Sequence, residues 1–149
     1  MADEVILNKT VVIERCLKRV TEEYAQNKDE LETDYTRQDA IVLNLLRASE
    51  AAIDLAMHVT RIGNPGLPQE SREAFSLLEQ AGCIEPELSR RVRAMVGFRN
   101  VAVYDYQNLN LEILKSVLDN HLDDFRAFGA AMLSGSQNSF KPPNELPQV

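Results

Sequence analysis

The sequence predicts an all-α protein, an up-and-down bundle of four long helices and one short one. Apolar residues recur at three- and four-residue steps along most of the chain. Turn signals fall between those stretches, at Asn64-Pro65-Gly66-Leu67-Pro68, at Gly82 and at Asn110. No segment alternates apolar and polar residues as a half-buried strand does, and no internal repeat is visible. The 149 residues suit one core, and 44% hydrophobic with 26% charged residues is an ordinary soluble composition. The expected organisation is a helical-bundle domain over 1–133 and a disordered tail over 134–149. That tail holds three of the six prolines, with Ser, Asn and Gln but no apolar period.

The first helix is expected from Asp3 to Gln26, with Val5, Ile6, Val12, Ile13, Cys16, Leu17, Val20 and Tyr24 on its stripe and either Asp3 or Asn8 as cap. Residues 27–34 form a polar connection. Thr36 with Asp39 resembles a capping box and opens the second helix, whose stripe runs from Ile41 to Met57 and which Gly63 ends. A short third helix spans Gln69 to Ala81, turns Phe75, Leu77 and Leu78 inward, and closes on Gly82 as a C′ glycine. Pro86 suits the first turn of a fourth helix, in which Leu88, Val92, Met95, Val96 and then Val101 or Ala102 face inward. Arg90, Arg91 and Arg93 stud its outside, as a solvated face or as a rim for phosphates. Asn110 caps a fifth helix, with a single stripe from Ile113 through His121 to Met132.

Composition narrows the chemistry. The net charge of −7 leaves no global basic field to draw nucleic acid in, so any such site must be a local cleft. Cys16 and Cys83 read as reduced, buried residues. With only His58 and His121 beside them, no metal site is expected. His58 reads as a flanking residue. Glu50 and Asp54, one turn apart, read as a polar stripe or as ion-pair partners for Arg99, in preference to a metal or acid–base pair. No glycine-rich phosphate loop and no Ser-His-Asp set can be drawn. The acidic start of the chain does not resemble a signal peptide, and no apolar run reaches membrane-span length. A cytoplasmic protein without cofactor or membrane contact is expected.

One stretch does not fit a plain bundle helix: Met95-Val96-Gly97-Phe98-Arg99-Asn100-Val101-Ala102-Val103-Tyr104-Asp105-Tyr106. Arg99-Asn100, three residues, Tyr104, one residue, Tyr106 resembles the HEPN signature, and more narrowly that of the HepT toxins of HepT/MntA type VII toxin–antitoxin pairs. The likeness extends over residues 40 to 110. Ala51 to His58 resembles the second-helix segment of that family, and Pro68 to Leu78 with Ala81-Gly82-Cys83-Ile84 its short helix and turn.

The resemblance implies a homodimer in which the arginine and histidine of two protomers meet in a cleft and cleave RNA without a metal. Arg99, Asn100 and position 104 would be the catalytic set. Attack by a ribose 2′-hydroxyl needs a proton acceptor near neutrality, the ordinary role of histidine, and a fixed positive fork on the phosphate. Here the sequence departs from the family: Tyr104 stands where the histidine belongs, by natural divergence or by an introduced change. A phenol ordinarily ionises near pH 10 and makes a poor base at neutrality; loss of a general base costs about 10²–10⁴-fold in rate. A weakened or inactive ribonuclease is therefore expected.

The resemblance also implies a partner, an MntA-type minimal nucleotidyltransferase antitoxin that transfers AMP to the motif tyrosine, here Tyr106, and brings the adenylate phosphate to Arg99. The rival reading is a non-catalytic HEPN-like subunit that dimerises and binds the nucleotidyltransferase. On a continuous helix, at about 100° per residue, Arg99 and Tyr104 lie about 140° apart while Arg99 and Tyr106 nearly eclipse. A shared site for Arg99 and position 104 then requires the helix to end near Val103, or a second protomer.

Overall fold

A computed structural model describes residues 3–26, 28–63 and 68–137. Its helices are α1 (Glu4–Gln26), α2 (Tyr35–Gly63), α3 (Ser71–Gln80), α4 (Pro86–Tyr104), α5 (Leu111–Asn120) and α6 (Leu122–Gln137). Short 3-10 turns occupy Lys28–Glu30 and Tyr106–Asn108. No strand occurs among the described residues, so the all-α expectation holds.

The caps explain where the helices begin. Asp3, not Asn8, caps α1: its Oδ1 accepts the backbone N–H of Val5 at 2.8 Å and of Ile6 at 3.2 Å. Asp34, not Thr36, caps α2, accepting the Arg37 N–H at 3.0 Å. The Thr36–Asp39 box does not form, which leaves the Asp39 carboxylate free for another partner. Gly82 closes α3 at φ +78° in a Schellman motif, with Gly82 N–H on the Glu79 carbonyl and Cys83 N–H on the Leu78 carbonyl. Leu77, expected inward, is only half-buried. Pro86 stands in the first turn of α4, and Asn110 caps α5 through the Glu112 and Ile113 N–H groups. The Asn64–Leu67 loop lies outside the described residues.

The expected fifth helix is two helices. Its apolar stripe runs on in register, but His121 leaves helical geometry at φ −124° and ψ 0°. The His121 carbonyl takes the Asp124 N–H, and its Nδ1 lies 3.0 Å from the Asp124 carboxylate. Asp123 and Asp124 then sit in the first turn of α6, where the helix dipole favours acidic groups. The tail expected from 134 starts inside α6, and residues 138–149 lie outside the described residues.

α1 and α2 form the most extensive pair, α6 packs on α1, α2 and α4, and α3 bridges α2 to α4. At the centre Phe75, Phe125 and Phe128 are fully buried, and Phe75 meets Phe128 edge-on with centroids 5.2 Å apart. Tyr24 donates to Asp119 at 2.8 Å and ties α1 to α5. This frame fixes α4 against α2 and the start of α3. No helix among the described residues is long and apolar enough to cross a membrane.

Candidate active site along α2 and the end of α4

Arg99 lies five residues before the end of α4, with its side chain 16% exposed. Nη1 donates to Glu50 Oε1 at 3.0 Å and Nη2 to Ser71 Oγ at 3.4 Å. Nε is buried without a partner. The guanidinium therefore retains unspent N–H donors beside those it gives to α2 and α3. A buried donor without an acceptor costs about 1–3 kcal/mol, and such sites call for a functional explanation. Arg72 reaches another part of α4: its Nη2 is 3.0 Å from where a Cβ on Gly97 would lie. Gly97 thus keeps room for that guanidinium two residues before Arg99.

α4 runs through Val103 and stops at Tyr104, so Arg99 and Tyr104 both lie on the helix. Asp105 breaks it, at φ −150° and ψ 46°. Its carbonyl and its Oδ1 both accept from Asn108, which builds the following 3-10 turn in place of another helical turn. Asn100 is half-buried. Tyr104 points out into solvent, 77% exposed. In a single protomer, Arg99 is thus held inward against α2 and α3 while Tyr104 projects from the helix end.

Tyr106, the first residue of the 3-10 turn, folds back on α2 and donates its hydroxyl to Asp39 Oδ1 at 2.6 Å. Partial burial, and then the Asp39 carboxylate, push this phenol up to about 12. The near-eclipse of Arg99 and Tyr106 expected from a continuous helix does not occur. Their α2 partners, Glu50 and Asp39, are eleven positions apart, which is roughly 16 Å along the helix axis at 1.5 Å per residue. The two groups mark opposite ends of one strip, because eleven residues return to nearly the same helix face. Leu43 and Leu46 lie between them on that face of α2. Leu43 is exposed, as is Val103 on α4.

The other candidates separate from this strip. Asp54 pairs with Lys9 at 3.2 Å, not with Arg99. His58 Nε2 lies 2.9 Å from Asp3. Arg90 and Arg91 both pair with Glu87, Arg91 reaches Asp124 as well, and Arg93 lies 3.6 Å from Glu79, so the charges of this run are engaged within the chain. Cys16 is buried and Cys83 half-buried, both free thiols that burial pushes above the usual cysteine range. Among the described residues no three His, Cys, Asp or Glu side chains gather as a metal site.

The family model described as Ribonuclease HepT-like matches residues 13–132. The mRNA nuclease HepT of Shewanella oneidensis is 44% identical over 126 residues, covering 85% of this chain and 94% of that protein. The chain belongs to the HepT-like ribonuclease family. Among solved structures, a tri-AMPylated Shewanella oneidensis HEPN toxin in complex with MNT antitoxin superposes with a TM-score of 0.84 at 42% identity, covering 89% of this chain and 98% of that one. A toxin–antitoxin structure with AMP-PNP matches at a TM-score of 0.83 and 42% identity, over 87% and 98% of the two chains.

Within this HepT-like chain, sequence reasoning reached Glu50 as an ion-pair partner for Arg99 but missed Ser71 and Asp39. Nothing local marks these two: Ser71 meets Arg99 only when α3 packs against α4, and Asp39 meets Tyr106 only when the 3-10 turn folds back on α2. The nearest available signal was the Ser71-Arg72 pair just after Pro68, where a helix N-terminus carries an arginine in its first turn.

Proposed function

We propose that this chain is the toxin of a toxin–antitoxin pair: a metal-independent endoribonuclease scaffold acting on RNA in the cytoplasm, with a composite site at a homodimer interface. In this reading it is weakened or silenced at Tyr104 and is neutralised by AMP transfer to Tyr106 from an MntA-type nucleotidyltransferase. The relatives supply the frame, as an mRNA nuclease and as an AMPylated toxin bound to MNT antitoxin. The observation that carries the reading in this chain is the arrangement of Arg99 and Tyr104. One is an arginine with unspent donors, fixed by Glu50 and Ser71; the other is an aromatic residue turned outward from the same helix end.

The chemistry follows from that arrangement. Arg99 offers positive charge to a scissile phosphate and to the charge that grows on it during attack by the 2′-hydroxyl. Arg99 and position 104 leave α4 about 140° apart, so a site using both is completed by a second protomer. Leu43, Val103 and Tyr104 are each exposed and offer that protomer apolar surface to cover. The proton of the attacking hydroxyl needs an acceptor at position 104, and the Tyr104 phenol supplies none at neutrality.

Induction in cells tests the whole reading. The chain carrying Tyr104→His should arrest growth when expressed alone and should be tolerated when a minimal nucleotidyltransferase is co-expressed. Tolerance of Tyr104→His in the absence of any nucleotidyltransferase would favour the non-catalytic subunit.

A further inference from the structure

We propose that Asp39 is a catalytic residue of AMP transfer onto this chain: its carboxylate holds the Tyr106 hydroxyl and accepts the phenolic proton as the tyrosine attacks a nucleoside triphosphate. The proposal deepens the reading of Tyr106 as the modified residue and rests on it.

The geometry has three parts. First, the Tyr106 hydroxyl donates to Asp39 Oδ1 at 2.6 Å, within the range of a short charge-assisted hydrogen bond. The reacting oxygen is therefore oriented before any nucleotide arrives. Second, both partners of the bond line a cleft of about 320 Å³ between the start of α2, the 3-10 turn and the start of α5. Tyr35, Gln38, Gln107 and Leu111 line it, so a nucleotide attached to the phenol has an aromatic wall and amides to turn against. Third, Asp39 is spared the capping role that its position near the start of α2 would suggest, because Asp34 caps that helix.

The chemistry needs such a group. A neutral phenol is a poor nucleophile, and burial together with Asp39 keeps Tyr106 neutral well into alkaline solution. The Tyr106 oxygen forms a bond to the α-phosphorus of the nucleoside triphosphate. The bond from that phosphorus to the oxygen bridging the β-phosphate breaks, and pyrophosphate leaves with the electron pair. The phenolic proton passes to the Asp39 carboxylate and then to water. Protonation at that moment also removes a negative charge next to the new phosphodiester, which an ionised Asp39 would repel.

The test incubates the full chain with a minimal nucleotidyltransferase, ATP and Mg²⁺, and follows the mass gain of one adenylate by intact-mass spectrometry, with peptide mapping to locate it. The original chain, Asp39→Asn, Asp39→Glu and Tyr106→Phe are compared, and binding to the nucleotidyltransferase is measured for each. Asp39→Asn keeps the shape and should lower kcat for modification of Tyr106 by about 10²-fold or more, with KM for the chain and binding to the partner unchanged. Asp39→Glu should recover part of the loss. Equal kcat for Asp39→Asn and the original chain would overturn the role of Asp39 while leaving Tyr106 as the target. Loss confined to KM or to partner binding would overturn it too, by making Asp39 a docking residue. An original chain modified anywhere but Tyr106, or not at all, would overturn both this inference and the reading beneath it.

Discussion

The Arg99–Glu50 pair allows the most quantitative prediction. Replacing Glu50 by alanine leaves a guanidinium that is only 16% exposed with Ser71 as its remaining hydrogen-bond partner, at a long 3.4 Å. A hydrogen bond to a charged group contributes about 1.5–3 kcal/mol when shielded. Glu50 is 45% exposed, so water screens its end of the pair and the contribution falls to about 1–1.5 kcal/mol, between the shielded and the exposed ranges. At this chain length that corresponds to a fall in Tm of roughly 2–6 °C. The assay is urea unfolding followed by far-UV circular dichroism at one fixed protein concentration, on the original chain, Glu50→Ala, Arg99→Met and the double variant. The cycle should return a coupling energy of about 1 kcal/mol. Binding of a short RNA gives a second readout: Glu50→Gln releases the guanidinium from its carboxylate and should tighten binding, while Arg99→Met should weaken it. A coupling energy within about 0.3 kcal/mol of zero, the scatter expected of independent sites, would refute the claim that Glu50 holds Arg99 in place.

Further outcomes follow from the same geometry. Gly97→Ala gains about 0.5–1 kcal/mol of helix preference but drives a Cβ against Arg72 Nη2, so Tm should hold or rise slightly as that exposed arginine shifts aside; a clear fall in Tm would mean that Arg72 is fixed against α4. Phe128→Ala empties a fully buried position and breaks the edge contact with Phe75, at a cost of about 3–5 kcal/mol, measurable as a shift in the urea midpoint. Tyr24 and Tyr106 are both pushed up to about 12 from 10.0, so the stability they contribute is intact below pH 10 and is lost as pH rises through 12. A phenolate absorbance titration of the original chain minus that of Tyr106→Phe should have its midpoint near 12; a midpoint near 10 would mean that the Asp39 contact is not kept in solution.

The fold was legible where a local signal and the tertiary packing agree. Gly82 and Asn110 end and begin their helices for backbone reasons contained within a few residues, and both were readable as such. The break at His121 was not, because Leu118, Leu122 and Phe125 continue one helical stripe across it and only the His121–Asp124 contact reveals the interruption. The start of α2 offers two cap candidates, Thr36 and Asp34, and the helix begins one residue before Thr36, so the Asp34 carboxylate is the one that meets the Arg37 N–H. In the candidate site, the Arg99-to-Tyr106 run was visible as an anomaly in a bundle helix. Its internal geometry was not, because Asp105 ends α4 and sends Tyr106 back to the start of α2. Contacts between residues 28, 49 and 67 positions apart, such as Arg99 with Ser71 and Glu50 and Tyr106 with Asp39, have no signature in spacing.

The central claim is that this chain is a ribonuclease scaffold lacking its base at position 104. Cleavage of total cellular RNA by purified protein, run side by side for the original chain, Tyr104→His and Tyr104→His with Arg99→Ala, all in EDTA, tests it most directly. Tyr104→His should cleave about 10²-fold or more above the original chain, and the cleavage should vanish when Arg99 is also removed. Equal activity in the original chain and Tyr104→His, or cleavage by neither, would contradict it.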